Sequence, residues 1–410
     1  MPVLNDPLSQ ALPPQPMRRW KVSMLDQVAR KRALLMCLGD ASWSPRTIRF
    51  ARHLRECGYH ITVASKPFTR EFECDSHIAL CPAPRPKNLL TRRLPGYAYF
   101  GAFLPSDALK DAINTYRHGL RGLGATLAAR TFDLILVQDL ALLPVALRQK
   151  KDARVIFDAR EYYPAQNEED RRFRVFEKPE RNRLCARDLP RCDHVITVSR
   201  GLADAYAQNF GVSPTVIHSA SAFHDVKPSP VAPSKIRLVY HGVANRNRGL
   251  ANLFKLMERL RPEFTLDLYL VTKDKERLDE IQAMAKPDDR ITLHPPVPYD
   301  RIVEEMNQYD IGVIYYEPTS FNLKHCMPNK LFEYIQARLA VAVGPSPDMA
   351  TFLLEKGCGV ISDQFSIESL AEALNTLRPE DLAALKRHSA NAALTASLEK
   401  ELELFDSLLT

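Results

Sequence analysis

Short apolar runs alternate with amphipathic stretches along most of this chain. Runs at 33–38, 60–64, 134–137, 155–157 and 195–198 read as strands, and 46–57 has helical apolar spacing. The same alternation restarts at 236–240 and continues through 266–271, 291–293, 311–314, 341–343 and 359–361. Strands that alternate with helices predict parallel sheets covered by helices on both faces.

Between the two series lies 225–235, with three prolines in eleven residues and no apolar periodicity, which predicts a linker. The expected organisation is a tail over 1–22, a first α/β domain over 23–224, a second over 236–380 and helices over 381–410. Two doubly wound Rossmann-like domains in series would face each other across a cleft. Ligands of open α/β sheets bind at the carboxyl ends of the strands, where that cleft lies. A chain of 410 residues is too long for one ordinary core, which agrees with two domains.

Composition narrows the class of protein. Apolar content of 45% and charged content of 26% are ordinary for a globular chain. Eight cysteines are scattered with no C-x-x-C pair, so neither zinc nor a disulfide framework is expected. Residues 2–16 are proline-rich and polar, unlike a signal peptide. No apolar run reaches the roughly 18 residues of a membrane span. The expected location is therefore the cytoplasm, with at most peripheral contact at the inner face of its membrane. A net charge of +7 suits nucleotide-sugars, anionic lipid or nucleic acid alike.

Candidate chemistry sits at the predicted strand ends. Pro328-Asn329-Lys330-Leu331-Phe332-Glu333-Tyr334 reads as a helix start, and a buried strand follows it. A helix N-terminus there can hold an anion, and Glu333, a turn inside, can accept hydrogen bonds from sugar hydroxyls. In Tyr240-His241-Gly242-Val243-Ala244-Asn245-Arg246-Asn247-Arg248-Gly249, a strand, a glycine turn and two arginines precede a helix, which suits a diphosphate. The first strand ends in Gly39-Asp40, a single-glycine turn that does not make a dinucleotide fingerprint. Asp158-Ala159-Arg160-Glu161 ends another strand and is expected at the cleft mouth. Ser199 is expected to cap a helix rather than bind a ligand. The mixed basic and aromatic stretch 85–104 suits either a core helix after a basic loop or an anionic lipid surface. Arginines at 171–187 read as one charged helix face.

These motifs resemble the GT-B glycosyltransferases of family 4, over roughly residues 33–380. Leu54 and Gly58 match the end of the family's first helix. Arg248-Gly249 matches its basic-glycine pair, and Pro328–Tyr334 a P-N-K-x-F-E-Y donor segment found in one subgroup. The resemblance implies transfer of a sugar from a nucleotide-sugar, UDP- or GDP-linked, to a glycan or lipid-linked acceptor, with retention at the anomeric carbon. It places Arg160, Glu161 and His325 at the reaction centre. Gly39, Asp40, Gly242, Arg246, Arg248, Asn329, Lys330 and Glu333 fall on the donor. It also implies that the last helix crosses back onto the first domain. The chain departs from the pattern at three positions. Arg160 replaces a histidine and cannot serve as a base. Val243 replaces a basic residue, and His325 stands where many members carry a first glutamate. No Asp-x-Asp and no H-E-x-x-H occur, so no cofactor and no catalytic metal are expected. The alternatives are a nucleotide-sugar epimerase of the same architecture and a non-catalytic nucleotide-sugar-binding or scaffold relative. A nucleic-acid partner is disfavoured because no recognisable basic–aromatic module is present.

Overall fold

The computed structural model describes residues 30–80, 106–244, 249–272 and 274–410. The first sheet has seven parallel strands: β1 (Arg32–Asp40), β2 (His60–Lys66), β3 (Ser76–Ala79), β4 (Leu134–Val137), β5 (Arg154–Ala159), β6 (His194–Thr197) and β7 (Thr215–Val216), in the order β3-β2-β1-β4-β5-β6-β7. The second has six: β8 (Ile236–Val243), β9 (Phe264–Val271), β10 (Ile291–His294), β11 (Ile311–Ile314), β12 (Ala340–Val343) and β13 (Gly359–Ile361), in the order β10-β9-β8-β11-β12-β13. The strand order reverses between β1 and β4 and again between β8 and β11. Each reversal opens a crevice at the carboxyl edge of its sheet.

Local chemistry explains the main elements. Val, Ile and Leu fill the central strands, which are buried on both faces as parallel strands must be. The helix Pro45–Glu56 starts with Ser44 as N-cap and Pro45 in its first turn. Ser199 caps the helix Arg200–Phe210, which ends at Gly211 in the left-handed conformation. The helix Asn329–Gln336 starts one residue later than its sequence suggests, because Pro328 is extended (φ −75°, ψ 151°) and stands just outside it. Two edge strands, β3 and β7, were not expected.

Apolar clusters cover both faces of each sheet. The segment 381–410 divides between the domains. The helix Pro379–Ala393 stays with the second sheet, where Leu382, Ala392 and Ala393 join its core. Only the last helix, Leu398–Asp406, reaches the first domain. Phe405 is fully buried there, with its ring 4.6 Å from that of Phe50. Burying one such side chain contributes about 1.5–3 kcal/mol. Arg154 Nη1 fastens the chain end by donating to Leu408 O at 2.7 Å. The return crossing clasps the segment after β7 that leads to the linker: His218 N and Phe223 N donate to Glu401 and Glu399, and Leu398 N donates to Ser221 O. No described helix is long and apolar enough to cross a membrane.

Candidate functional site

The crevice of the second sheet gathers four of the expected donor residues, Gly242, Asn329, Lys330 and Glu333. Gly242, at the end of β8, has φ 135°, a backbone state that favours glycine. A Cβ at Gly242 would lie 3.2 Å from Lys330 Nζ, so the missing side chain leaves room for that ammonium. Lys330 lies with its Nζ 3.6 Å from the centre of the Tyr240 ring and 5.7 Å from that of Tyr316. Such faces hold a cation while its stem is buried. The N-terminus of the 329–336 helix has no side-chain cap, and Leu331 N in its first turn donates to Pro328 O at 3.0 Å. Asn329 opens that helix.

Glu333 lies one turn further and is buried, with Oε2 3.1 Å from His241 Nε2. A cation of the first domain lies within electrostatic reach of it. Burial pushes the Arg49 guanidinium below its ordinary pKa, while Tyr299 and Glu333 pull the other way. Arg49 also donates to the carbonyls of Ser219 and Ala220, in the segment after β7. His241, Arg49 and Tyr299 were not singled out from the sequence. His241 precedes the glycine of a quoted motif, but Arg49 and Tyr299 carry no local signal. Arg246 and Arg248 lie outside the described residues, as does the 85–104 segment.

The first sheet contributes a different kind of wall. A Cβ on Gly39 would meet nothing within 4 Å, so this turn borders open space. Asp40 is committed to its own loop. One carboxylate oxygen accepts from Ser42 N and Oγ at 2.9 and 2.6 Å, the other from Thr69 N and Oγ1 at 2.9 and 2.6 Å. Burial, which raises its pKa, is outweighed by these donors, and the pKa falls to about 2. Its carboxylate thus shapes the turn.

Asp158 does not face the cleft mouth. It is fully buried and accepts from Arg46 Nε at 2.8 Å and Gln138 Nε2 at 3.0 Å. Arg46 continues to Ile217 O, so this pair ties β5 to the segment that follows β7. Arg160 Nη2 donates to Gln138 O at 3.1 Å and to Asp139 Oδ1 at 3.4 Å. Burial lowers its pKa, but nearby Tyr163 and Asp139 prevail, and the group is held firmly charged. Glu161 accepts from Gln166 Nε2 at 3.3 Å, and burial raises its pKa against the pull of Arg160. The Arg183 and Arg187 side chains of the expected basic face meet Asp111 at 2.8 and 3.0 Å.

His325 belongs to a contact between the domains. Its Nδ1 is 2.7 Å from Asp348 Oδ2, and the other Asp348 oxygen accepts from Gly201 N at 2.8 Å. Gly201 is in the first turn of the first domain's 200–210 helix. Nearby, Asn322 exchanges hydrogen bonds with the backbone of Tyr162 (2.7 and 3.2 Å), and Phe321 N donates to Glu168. Beside this contact opens a cavity of about 450 Å³, lined by Ser199, His218, His325, Met327, Asp348 and Phe352 among others. Asp348 was missed from the sequence, although a strand, a glycine and a proline-led helix start precede it.

The comparisons with known proteins agree with the two-sheet fold. Residues 46–223 match the model of Glycosyltransferase Family 4. No curated protein matches by sequence. Among solved structures, the chain is similar to sucrose-phosphate synthase from Thermosynechococcus elongatus, at 15% identity and TM-score 0.67, over 92% of this chain and 98% of that one. It is similar to Anabaena HepE in complex with UDP and glucose, at 14% identity and TM-score 0.63, over 92% and 99%. It is also similar to WaaG, a glycosyltransferase involved in lipopolysaccharide biosynthesis, at 13% identity and TM-score 0.60, over 92% and 99%. Likeness at these identities establishes the architecture, two Rossmann-like domains of the GT-B type.

Proposed function

We propose that this protein is a glycosyltransferase that moves a sugar from a nucleotide-sugar, UDP- or GDP-linked, to a glycan or lipid-linked acceptor. The observation that carries this reading is the convergence of Gly242, Lys330 and an uncapped helix N-terminus in one crevice, with Glu333 a turn beyond. A fixed ammonium and the positive end of a helix dipole match a diphosphate. The buried carboxylate of Glu333 matches ribose hydroxyls. The Family 4 match supports the reading, as does the UDP and glucose held by HepE within the same architecture.

Departure of the nucleoside diphosphate leaves positive charge on the sugar and negative charge on the phosphates. Lys330 and the 329–336 helix start would stabilise the phosphate charge from fixed positions, so little reorganisation is needed during reaction. We assign Arg248 and Arg246 to the same phosphates. Arg160, Glu161 and the Gly39–Asp40 turn fall to the sugar and acceptor side, and His325 to the contact that brings the two walls together. Transfer with retention and without a metal follows from the same reading. We place the acceptor in surface polysaccharide assembly, such as lipopolysaccharide or capsule, at the inner face of the cytoplasmic membrane.

A melting-temperature screen against UDP-, GDP-, ADP- and CMP-sugars tests donor binding, because a ligand of the folded state alone raises stability. The donor that binds is then incubated with and without acceptor glycans. Sugar transfer is expected. Conversion of donor without acceptor would point instead to an epimerase, and tight binding with no turnover to a non-catalytic relative.

A further inference from the structure

One helical turn beyond Arg49, three side chains of different chemistry converge where the last helix meets the 45–56 helix. His53 and Cys57 are four residues apart and therefore neighbours on one helix face. Cys57 caps the 45–56 helix, and its N–H donates to His53 O at 2.9 Å. Asp406 comes from the end of the crossing helix. Its Oδ1 is 2.6 Å from His53 Nε2, and Cys57 Sγ is 3.6 Å from that same nitrogen. The three donor atoms all lie within 4.8 Å of one another. The His53 ring is steadied by an edge contact with Phe405, at 6.3 Å between centres.

We propose that His53, Cys57 and Asp406 bind one divalent cation of the zinc type, which fastens the crossing helix to the first domain. One nitrogen, one sulfur and one carboxylate oxygen form the mixed set that Zn²⁺ and Co²⁺ accept, with water completing a tetrahedron. The sulfur–nitrogen spacing already equals that between ligands on one tetrahedral ion. Binding forms one metal–N, one metal–S and one metal–O bond, and the Cys57 thiol gives its proton to solvent. His53 gives up its hydrogen bond to Asp406, its ring proton passing from Nε2 to Nδ1 by way of solvent, and the freed Nε2 lone pair takes the ion. Cys57 is exposed, so the ion has an open approach.

The site explains an otherwise odd grouping. The last helix buries Phe405 among residues of the first domain, and Leu408 just after the helix is buried there too, yet the helix's outer face carries Glu399, Lys400 and Glu403 toward water. A cation at its C-terminal end adds a direct link between chain segments about 350 residues apart, at the end of the helix where a positive charge is favoured.

The experiment is Co²⁺ titration of the full-length protein, followed by near-ultraviolet and visible absorption. One equivalent per chain with a thiolate-to-cobalt band is expected. Cys57→Ser, which changes one exposed atom, should remove the band and leave the fold intact. Asp406→Asn should weaken binding by about tenfold or more. Zn²⁺ should raise the melting temperature of the wild type and slow amide exchange over 398–406, and do neither in Cys57→Ser. Failure of the wild type to develop the band would overturn the proposal. So would a band that survives Cys57→Ser, since another cysteine would then hold the metal.

Discussion

The imidazole of His325 occupies the space that a side chain on Gly201 would need: a Cβ built at Gly201 would collide with the ring. Two domains therefore meet at a position where only glycine fits. Asp348 spans the same contact, bonded to both His325 and the Gly201 N–H. Gly201→Ala should force the His325 ring away and separate the two walls. The expected cost is about 1–3 kcal/mol, the range for overpacking a tight contact. Small-angle scattering should show a larger radius of gyration for the variant, and donor affinity should fall. An unchanged radius would mean that the contact yields without moving the domains.

Glu333→Gln keeps the size of the side chain and removes its charge. Turnover with the preferred donor should fall by about tenfold or more, the scale of one charge-assisted contact. Melting temperature separates this effect from unfolding. Wild-type kcat/KM in a folded Glu333→Gln protein would remove this carboxylate from the donor site.

Lys386 is the largest commitment of charge to the second core. Its side chain is 1% exposed and that of Asp310 0%, with Nζ 2.9 Å from the carboxylate. Nζ also donates to Tyr309 O at 2.7 Å and Ser229 Oγ at 2.8 Å, joining the 379–393 helix to the linker. Lys386→Met should cost about 3 kcal/mol, at the lower end for breaking a buried pair, because Asp310 keeps Arg237. Urea unfolding measures it, and a loss below the error of the method would sink this account.

Asp40 gives a pH-dependent signature. Its pKa is lowered from 3.8 to about 2 in the folded protein, so its contribution is present above 3.8 and lost as pH falls toward about 2. The Asp40→Asn variant should be less stable than wild type at neutral pH. The gap between the two should close over that acid window, as read from melting curves taken at successive pH values. A gap that stays constant with pH would contradict the four donated hydrogen bonds.

The central strands were legible because each is a short apolar run between polar turns, and the runs at 134–137, 311–314 and 359–361 coincide with strands to the residue. The edge strands were not. Ser76–Ala79 carries a serine and a histidine, and Thr215–Val216 has two residues, too few for a pattern. The donor segment around Lys330 and Glu333 could be picked out because its residues are contiguous. Asp158 misled, since a carboxylate at a strand end reads as exposed until Arg46, 112 residues away, is seen to cover it.

The sequence by itself determined two parallel α/β domains, and a glycine, a lysine and a glutamate at strand and helix ends. Those features follow from periodicity and capping, which act over a few residues. Tertiary structure alone decided which charges face one another. It set Lys330 in the hollow left by Gly242, Asp348 between His325 and Gly201, and Asp406 beside His53 and Cys57. Each of these meetings depends on chain closure over tens to hundreds of residues, and no local pattern encodes the partner.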